Sequence, residues 1–376
     1  MTAGSLRVAH LTSVHDIDDG RIFLKECRAL TAAGFDVTLI GPSPTNRQID
    51  SVRILGVPGA NGRLRRMTST TWHVLARAVS CGAKVCHFHD PELIPIGFLL
   101  KLLGRRVIYD VHEDCPRDIL TKSWVHPTIK RPLAAAVTLV EAAAGRVFDG
   151  IVTATPTIAA RFPAAKTITV ANFPMLEEFR AVAETVYDER PFQVCYVGHL
   201  SKVRGLFDMI DAAGQVRGGA AQSLLLAGAF GSAGEEAQGR ARAGWQQVDY
   251  LGWIDRAGIA RLMANARAGL VVLHPNRCFI DAYPIKMFEY MAAGLPVVAS
   301  DFPLYREILD DGRCGRLISP ADPAALARAI EWIFGHPDEA REMGEHGRRR
   351  IERLYTWQGE REKLVSFYRR LAGVLS

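Results

Sequence analysis

Glu289 stands inside the apolar run KMFEYMAAGLPVV, with Lys286 one helical turn before it and Asp281 eight positions before it. An ionised carboxylate among Phe288, Met291 and Val297 is costly to bury unless something pairs with it or hydrogen-bonds to it. Either another side chain or a ligand must therefore satisfy it. The pattern over AGLVVLHPNRCFIDAYPIKMFEYMAAGLPVVASD predicts strand, loop, helix and strand, with Gly294 and Pro296 ending the helix. The helix start, across Ala282, Tyr283, Pro284, Ile285 and Lys286, offers free backbone N–H groups to an anion. A diphosphate carried between two hydroxyl-rich sugars fits such a segment. The helix start and Lys286 would hold the phosphates, while Asp281 and Glu289 would each take vicinal hydroxyls of one sugar. The structural alternative is an arginine in the core paired with Glu289.

A second anion-binding segment is YVGHLSKVRGLFDMIDA, which reads as a strand, a glycine turn and a helix. Lys202 and Arg204 fall where the N–H groups of a helix start and a cationic side chain can share a phosphate. Neither a Walker A loop nor a G-x-G-x-x-G fingerprint is present. Further polar groups gather at two strand ends: His87, His89 and Asp90 in KVCHFHD, and Asp110, His112, Glu113 and Asp114 in RVIYDVHED. Alternation puts His87 and His89 on one face, and adjacent parallel strands would bring both clusters to the same sheet edge. A metal reading of these residues is disfavoured, because no helix supplies an i, i+3 or i, i+4 ligand pair.

The elements that must position these groups follow one rhythm. Short runs rich in Val, Ile and Leu alternate with helix-length amphipathic segments and Gly/Pro/Asp turns, the signature of parallel sheet with crossover helices. Seven candidate strands, from LRVAHLTSV to TITVANF, fill the first half, and six, from FQVCYVGHL to CGRLISP, fill the second. Between them NFPMLEEFRAVAETVYDERPF loses apolar periodicity and reads as a linker. Three helices close the chain, the last being TWQGEREKLVSFYRRLAGVL. In open parallel sheets ligands bind beyond the carboxyl ends of the strands, so two such domains facing each other would line a cleft with those loops.

The 376 residues, 48% hydrophobic and 23% charged, are enough for two cores. The 7 cysteines are scattered without C-x-x-C pairs, which argues against a disulfide framework or a zinc motif. A net charge of +6 admits nucleic acid, an anionic membrane surface or phosphorylated small molecules as partners. No recognised motif supports nucleic acid. No apolar run reaches membrane-spanning length and the start lacks a signal-peptide pattern, so the expected location is cytoplasmic. Basic, partly apolar stretches at ANGRLRRMTSTTWHVLARAV and TKSWVHPTIKRPL would suit peripheral contact with the inner face of an anionic bilayer.

Along essentially its whole length the sequence resembles the retaining glycosyltransferases of family 4, most closely bacterial enzymes that build surface polysaccharides. DAYPIKMFEYMAAGLPVVASD, HFHDPELIPIG, VIYDVHEDCP, YVGHLSKVRG and D-G-R-I-F-x-K-E carry the resemblance. It implies the GT-B fold, α/β, with two facing Rossmann-like domains: an acceptor domain over 1–176, a nucleotide-sugar domain over 177–355, and a terminal helix over 356–376 that packs back on the first domain. Glu289 would bind the ribose and Asp281, with the amides that follow, the transferred sugar. Arg204 would neutralise the departing diphosphate, and His112 would lie over the donor sugar. Gly198, His199 and Lys202 would lie along the diphosphate, and Gly252, Trp253 and Ile254 would read the base. Gly20 and Arg21 would be further donor contacts, and His89, Asp90 and Glu113 would face the acceptor.

The resemblance further implies a nucleotide-sugar donor, with a UDP-sugar favoured, and a glycan or lipid-linked acceptor. No metal and no cofactor are expected. The sequence departs from the family at Asp281, one methylene shorter than the usual glutamate, at His199, where arginine is usual, at Arg204, where lysine is usual, and in HDIDDGRIF, which lacks the Gly-Gly pair. A nucleotide-sugar 2-epimerase of the same architecture and a non-catalytic nucleotide-sugar-binding protein are the alternative functions.

Overall fold

The computed structural model describes residues 6–122, 125–217 and 223–373. Ser123 and Trp124 of the basic segment TKSWVHPTIKRPL lie outside them, as do the first five residues and the end of the expected terminal helix. The chain divides into two compact units, one of Met1–Asn172 with Gln358–Ser376 and one of Phe173–Trp357.

The first unit holds an eight-stranded sheet. Its strands are β1 (Arg7–Leu11), β2 (Asp36–Pro42), β3 (Arg47–Ile49), β4 (Val52–Val57), β5 (Val85–Phe88), β6 (Arg106–Val111), β7 (Gly150–Thr153) and β8 (Thr167–Thr169). They run in the order β3-β4-β2-β1-β5-β6-β7-β8, parallel except for the antiparallel pairing of β3 with β4. Helices cover the central strands, so β5 and β7 are buried at every residue and read as continuous apolar runs. The helix after β1 opens as a π-helix, Ile22–Cys27, before continuing as Arg28–Ala32. Its wide first turn buries Lys25 and Glu26 together with Ile22, Phe23 and Cys27. From Gln358 onward the last helix belongs to this unit; the Glu360 carboxylate accepts from the Ala171 N–H at 2.9 Å.

The second unit holds six parallel strands, β9 (Val194–Val197), β10 (Leu224–Ala227), β11 (Val248–Gly252), β12 (Ala268–Val271), β13 (Val297–Ser300) and β14 (Gly315–Ile318). Their order is β11-β10-β9-β12-β13-β14, so the winding reverses between β9 and β12. The segment read as a linker is packed: it forms short helical turns that bury Phe179, Val182 and Tyr187. Arg190 is buried with them and donates to the carbonyls of Val182 and Ala266 at 2.9 and 3.3 Å. Its apolar residues were too sparse to show a period, yet Phe179, Val182 and Tyr187 are buried while Val186 and Phe192 stay exposed.

Candidate active site

In an open parallel sheet the crevice at the reversal of strand order is where loops diverge and a ligand can enter. Here the loops after β9 and β12 meet that point. Gly228 lies so close to the first of them that a Cβ would sit 1.9 Å from the Gly198 carbonyl oxygen, at a φ of +136°. Gly205, at φ +75°, crosses the end of β12, where a Cβ would stand 2.1 Å from the Val272 carbonyl oxygen. Only glycine permits both approaches. Between them the loop delivers His199, Lys202 and Arg204. A cavity of 330 Å³ opens beside it, lined by Val197, Gly198, His199, Gly228, Trp253 and Ile254 among others. The Trp253 ring is 78% exposed, an apolar surface with no cover among the described residues.

Lys286 enters from the helix Ile285–Ala292. The residue is half-buried, but its terminal nitrogen is sealed from solvent and has no hydrogen-bond partner among the described residues. It lies 3.6 Å from the centroid of the Tyr196 ring. Burial holds the Lys286 pKa well below its ordinary value, the charge of Arg204 lowers it further, and Glu289 acts in the opposite direction. Burial also pushes the Tyr196 phenol up to about 12, so it stays protonated and donates to the His199 carbonyl at 3.0 Å. The Arg204 guanidinium packs 5.4 Å from the Phe279 ring centroid. Arg204 and Lys286 thus converge at the strand-order reversal, the Lys286 nitrogen without a hydrogen-bond acceptor among the described residues, and an anion is the group that would stabilise positive charge on both.

The Glu289 carboxylate accepts from Arg256 Nη1 at 2.8 Å, and the other arm of the same guanidinium meets Glu178. The protein therefore does supply a partner, but at the surface: the Arg256 side chain is 49% exposed and that of Glu289 13%. Arg256 opens the helix Arg256–Ala264, directly after the Gly252–Asp255 turn. An ion pair of this exposure contributes little and can be exchanged for another partner. Asp281 is exposed, at the end of the short helix Arg277–Ile280. Tyr283 is anchored by ring contacts with Phe173 and Phe288, while Ala282, Pro284 and Ile285 remain partly or fully exposed. Lys202 is exposed, and its backbone N–H donates to Glu235 at 2.8 Å.

The expected site residues of the first unit separate into two groups. His112 is half-buried, with Nε2 at 2.8 Å from Asp110 Oδ2, and Glu113 and Gly20 are exposed. The others are engaged inside the unit. His89 is buried with its Nδ1 at 3.2 Å from Asp110. Asp90 is buried too: it accepts from Thr12 Oγ1 at 2.8 Å and from the Ser13 N–H at 2.6 Å, pinning the loop after β1. The Arg21 guanidinium is spent internally on Asp110, at 2.9 and 3.1 Å, and on the Val170 carbonyl at 2.8 Å. Burial alone would raise the Asp110 pKa, but Arg21 and His112 hold it well below the usual carboxylate range.

Behind these residues lies a group the sequence did not single out. His10 on β1 and Glu26 on the π-helical turn join His87 and His89, and all four are buried. Burial lowers the pKa of His10 and of His87 and raises that of Glu26. Only the order β2-β1-β5-β6 reveals this convergence, since the four come from separate elements. For Arg256 and Glu178 no sequence signal existed either.

Residues 20–172 match the family model described as glycosyl transferase 4-like domain, and residues 178–350 the model described as glycosyl transferases group 1. The chain is 35% identical over 141 residues to a phosphatidyl-myo-inositol mannosyltransferase of Mycobacterium leprae, covering 37% of this chain and 36% of that one. It is 26% identical over 162 residues to the D-rhamnosyltransferase WbpZ of Pseudomonas aeruginosa, covering 43% and 41%. The chain thus matches less than half the length of these relatives. Among solved structures, sucrose-phosphate synthase from Thermosynechococcus elongatus is similar at a TM-score of 0.76 and 20% identity, over 98% of this chain and 100% of that one. Anabaena HepE in complex with UDP and glucose gives 0.73 and 15%, over 97% and 100%. The two parallel-sheet units have the GT-B fold that these structures share.

Proposed function

We propose that this GT-B chain, with glycosyltransferase matches in both halves, is a retaining glycosyltransferase that moves a hexose from a nucleotide sugar to a glycan or lipid-linked acceptor. The single observation that carries the reading is the sealed Lys286 ammonium, which lacks a hydrogen-bond acceptor beside Arg204 at the strand-order reversal of the second unit. A diphosphate supplies the missing acceptor. Its base would lie in the cavity against Trp253 and Ile254, and its ribose hydroxyls would replace Arg256 on Glu289. UDP in the HepE complex supports a UDP-sugar, and the mannosyl and rhamnosyl transfer named for the curated relatives supports a hexose. No observation favours epimerisation.

In the proposed reaction the bond from the anomeric carbon to the phosphate oxygen breaks as the bond to the acceptor oxygen forms on the same face. The acceptor's proton passes to the departing phosphate oxygen. The transition state resembles an oxocarbenium ion leaving a diphosphate, so fixed positive charge aimed at that phosphate lowers the barrier most. Arg204, Lys286 and the start of the helix Ile285–Ala292 supply it, and no metal is required at the leaving group. Asp281 is assigned to the hydroxyls of the transferred sugar, and a role for His112 near the reacting sugar rests on the resemblance of VIYDVHEDCP alone. The reaction belongs to cell-surface polysaccharide assembly in the cytoplasm, a placement resting on the resemblance of HDPEL and P-x-K-x-F-E-Y-M-A.

The test is a thermal-shift panel of UDP-, GDP- and dTDP-sugars, followed by a transfer assay with the sugar that stabilises most. One donor should raise the melting temperature, because a ligand held only by the folded state stabilises it. If no nucleotide sugar shifts the transition, the reading fails.

A further inference from the structure

Glu26 is the least explained group in the first unit. Both of its carboxylate oxygens are sealed from solvent and neither has a hydrogen bond among the described residues, although Arg21 Nε comes within 3.1 Å of Oε1. Arg21 is oriented instead toward Asp110 and the Val170 carbonyl. The other oxygen, Oε2, faces histidines: His10 Nδ1 at 3.9 Å and His87 Nδ1 at 3.8 Å. His89 Nε2 closes the group at 2.9 Å from His10 Nδ1. His87 Nε2 is likewise sealed and without a partner.

The outer nitrogens of two of these rings, His10 and His89, are held. Tyr368, from the last helix, places its hydroxyl 3.3 Å from His10 Nε2; the same hydroxyl lies 2.7 Å from His87 Nδ1, the nitrogen that faces Glu26. Asp110 takes His89 Nδ1 at 3.2 Å. A carboxylate or hydroxyl that fixes the far nitrogen of a histidine is the arrangement that orients metal-binding imidazoles.

We propose that His10, Glu26, His87 and His89 form a divalent metal site, of zinc type, buried between β1, β5 and the π-helical turn of the first unit. One nitrogen or oxygen from each residue lies within 4.8 Å of those of the other three. In a tetrahedral zinc site with bonds of about 2.0–2.1 Å, ligand atoms stand roughly 3.3 Å apart. The separations of 2.9, 3.8 and 3.9 Å bracket that value, and small side-chain rotations would complete the site. Three imidazoles and one carboxylate are a set that zinc favours over magnesium or calcium. With all four positions filled by protein, the metal is structural. It ties β1, β5 and the π-helical turn together, and through the bond from His89 to Asp110 it sets the position of His112. The leaving group of the proposed reaction lies in the other unit's binding elements, so this site is independent of that reading.

Protein made without a histidine tag should contain about one zinc per chain by elemental analysis. An anomalous difference map at the zinc edge should place the metal among these four residues. Glu26→Gln and His10→Asn should each lower the content below about a fifth of wild type, while His73→Ala, on an exposed helix, should not. Chelation should lower the melting temperature of the wild type by more than about 5 °C, and zinc should restore it. If a variant fails to fold, the wild-type map decides alone. No anomalous peak at this locus after reconstitution with zinc, in protein folded by circular dichroism, overturns the proposal.

Discussion

Lys286 carries its ammonium where burial and Arg204 both oppose the charge. Its pKa is lower in the folded chain than in the unfolded one, so between those two values the unfolded chain binds more protons. Stability therefore rises as pH climbs through that window, and below it the ligand-free fold is penalised. A bound diphosphate reverses the balance and returns the proton. Calorimetry at a pH between the folded and unfolded pKa of Lys286, in buffers of different ionisation enthalpy, should show proton uptake on UDP binding. Lys286→Met should abolish that uptake and weaken UDP about tenfold or more, while raising the ligand-free melting temperature by a few degrees. Unchanged uptake in the variant would remove Lys286 from the phosphate site. Arg204 has the complementary role: Arg204→Ala should lower kcat on the order of a hundredfold or more, with a smaller effect on donor affinity, because the charge it faces develops in the transition state. An unaltered kcat would refute that role.

At the level of elements, the loop after β9, proposed to hold the phosphates, depends on two glycines that admit no side chain. Gly205→Ala or Gly228→Ala drives a Cβ into a backbone oxygen from a left-handed or positive-φ position. Each should lower the melting temperature by more than about 4 °C and suppress UDP binding; wild-type values for both variants would show that the loop is not built on this contact. The strands themselves were legible in the sequence, because runs such as VCYV and VVAS are short, apolar and bounded by glycine or aspartate. β3 was not, since RQI is a three-residue run with two exposed polar residues on an antiparallel edge, where burial imposes no pattern. The placement of Lys286 and Glu289 was readable for the same local reason: they sit one turn apart on one helix. The partners of His10, Glu26 and Arg21 were not legible, because they are set by sheet order across distant segments. The same holds for Asp90, a strand-end carboxylate turned inward onto Thr12 and Ser13.

At the scale of the molecule, the net charge of +6 is concentrated in part where apolar side chains are also exposed. Leu64, Met67 and Trp72 are 78%, 54% and 62% exposed, next to exposed Arg63 and Arg65. No described helix is long and apolar enough to cross a membrane, so contact would be peripheral. The protein should float with vesicles containing anionic lipid and sink with neutral ones, and salt near 0.5 M should release it. Trp72→Ala should weaken the association. Equal behaviour with both vesicle types would remove the membrane from the account. The most direct measurement of the central claim is a crystal structure with bound UDP. The account predicts the diphosphate between Arg204 and Lys286, and Glu289 turned from Arg256 to the ribose hydroxyls. A nucleotide bound elsewhere, with Glu289 still on Arg256 and the Lys286 ammonium still without an acceptor, would contradict it.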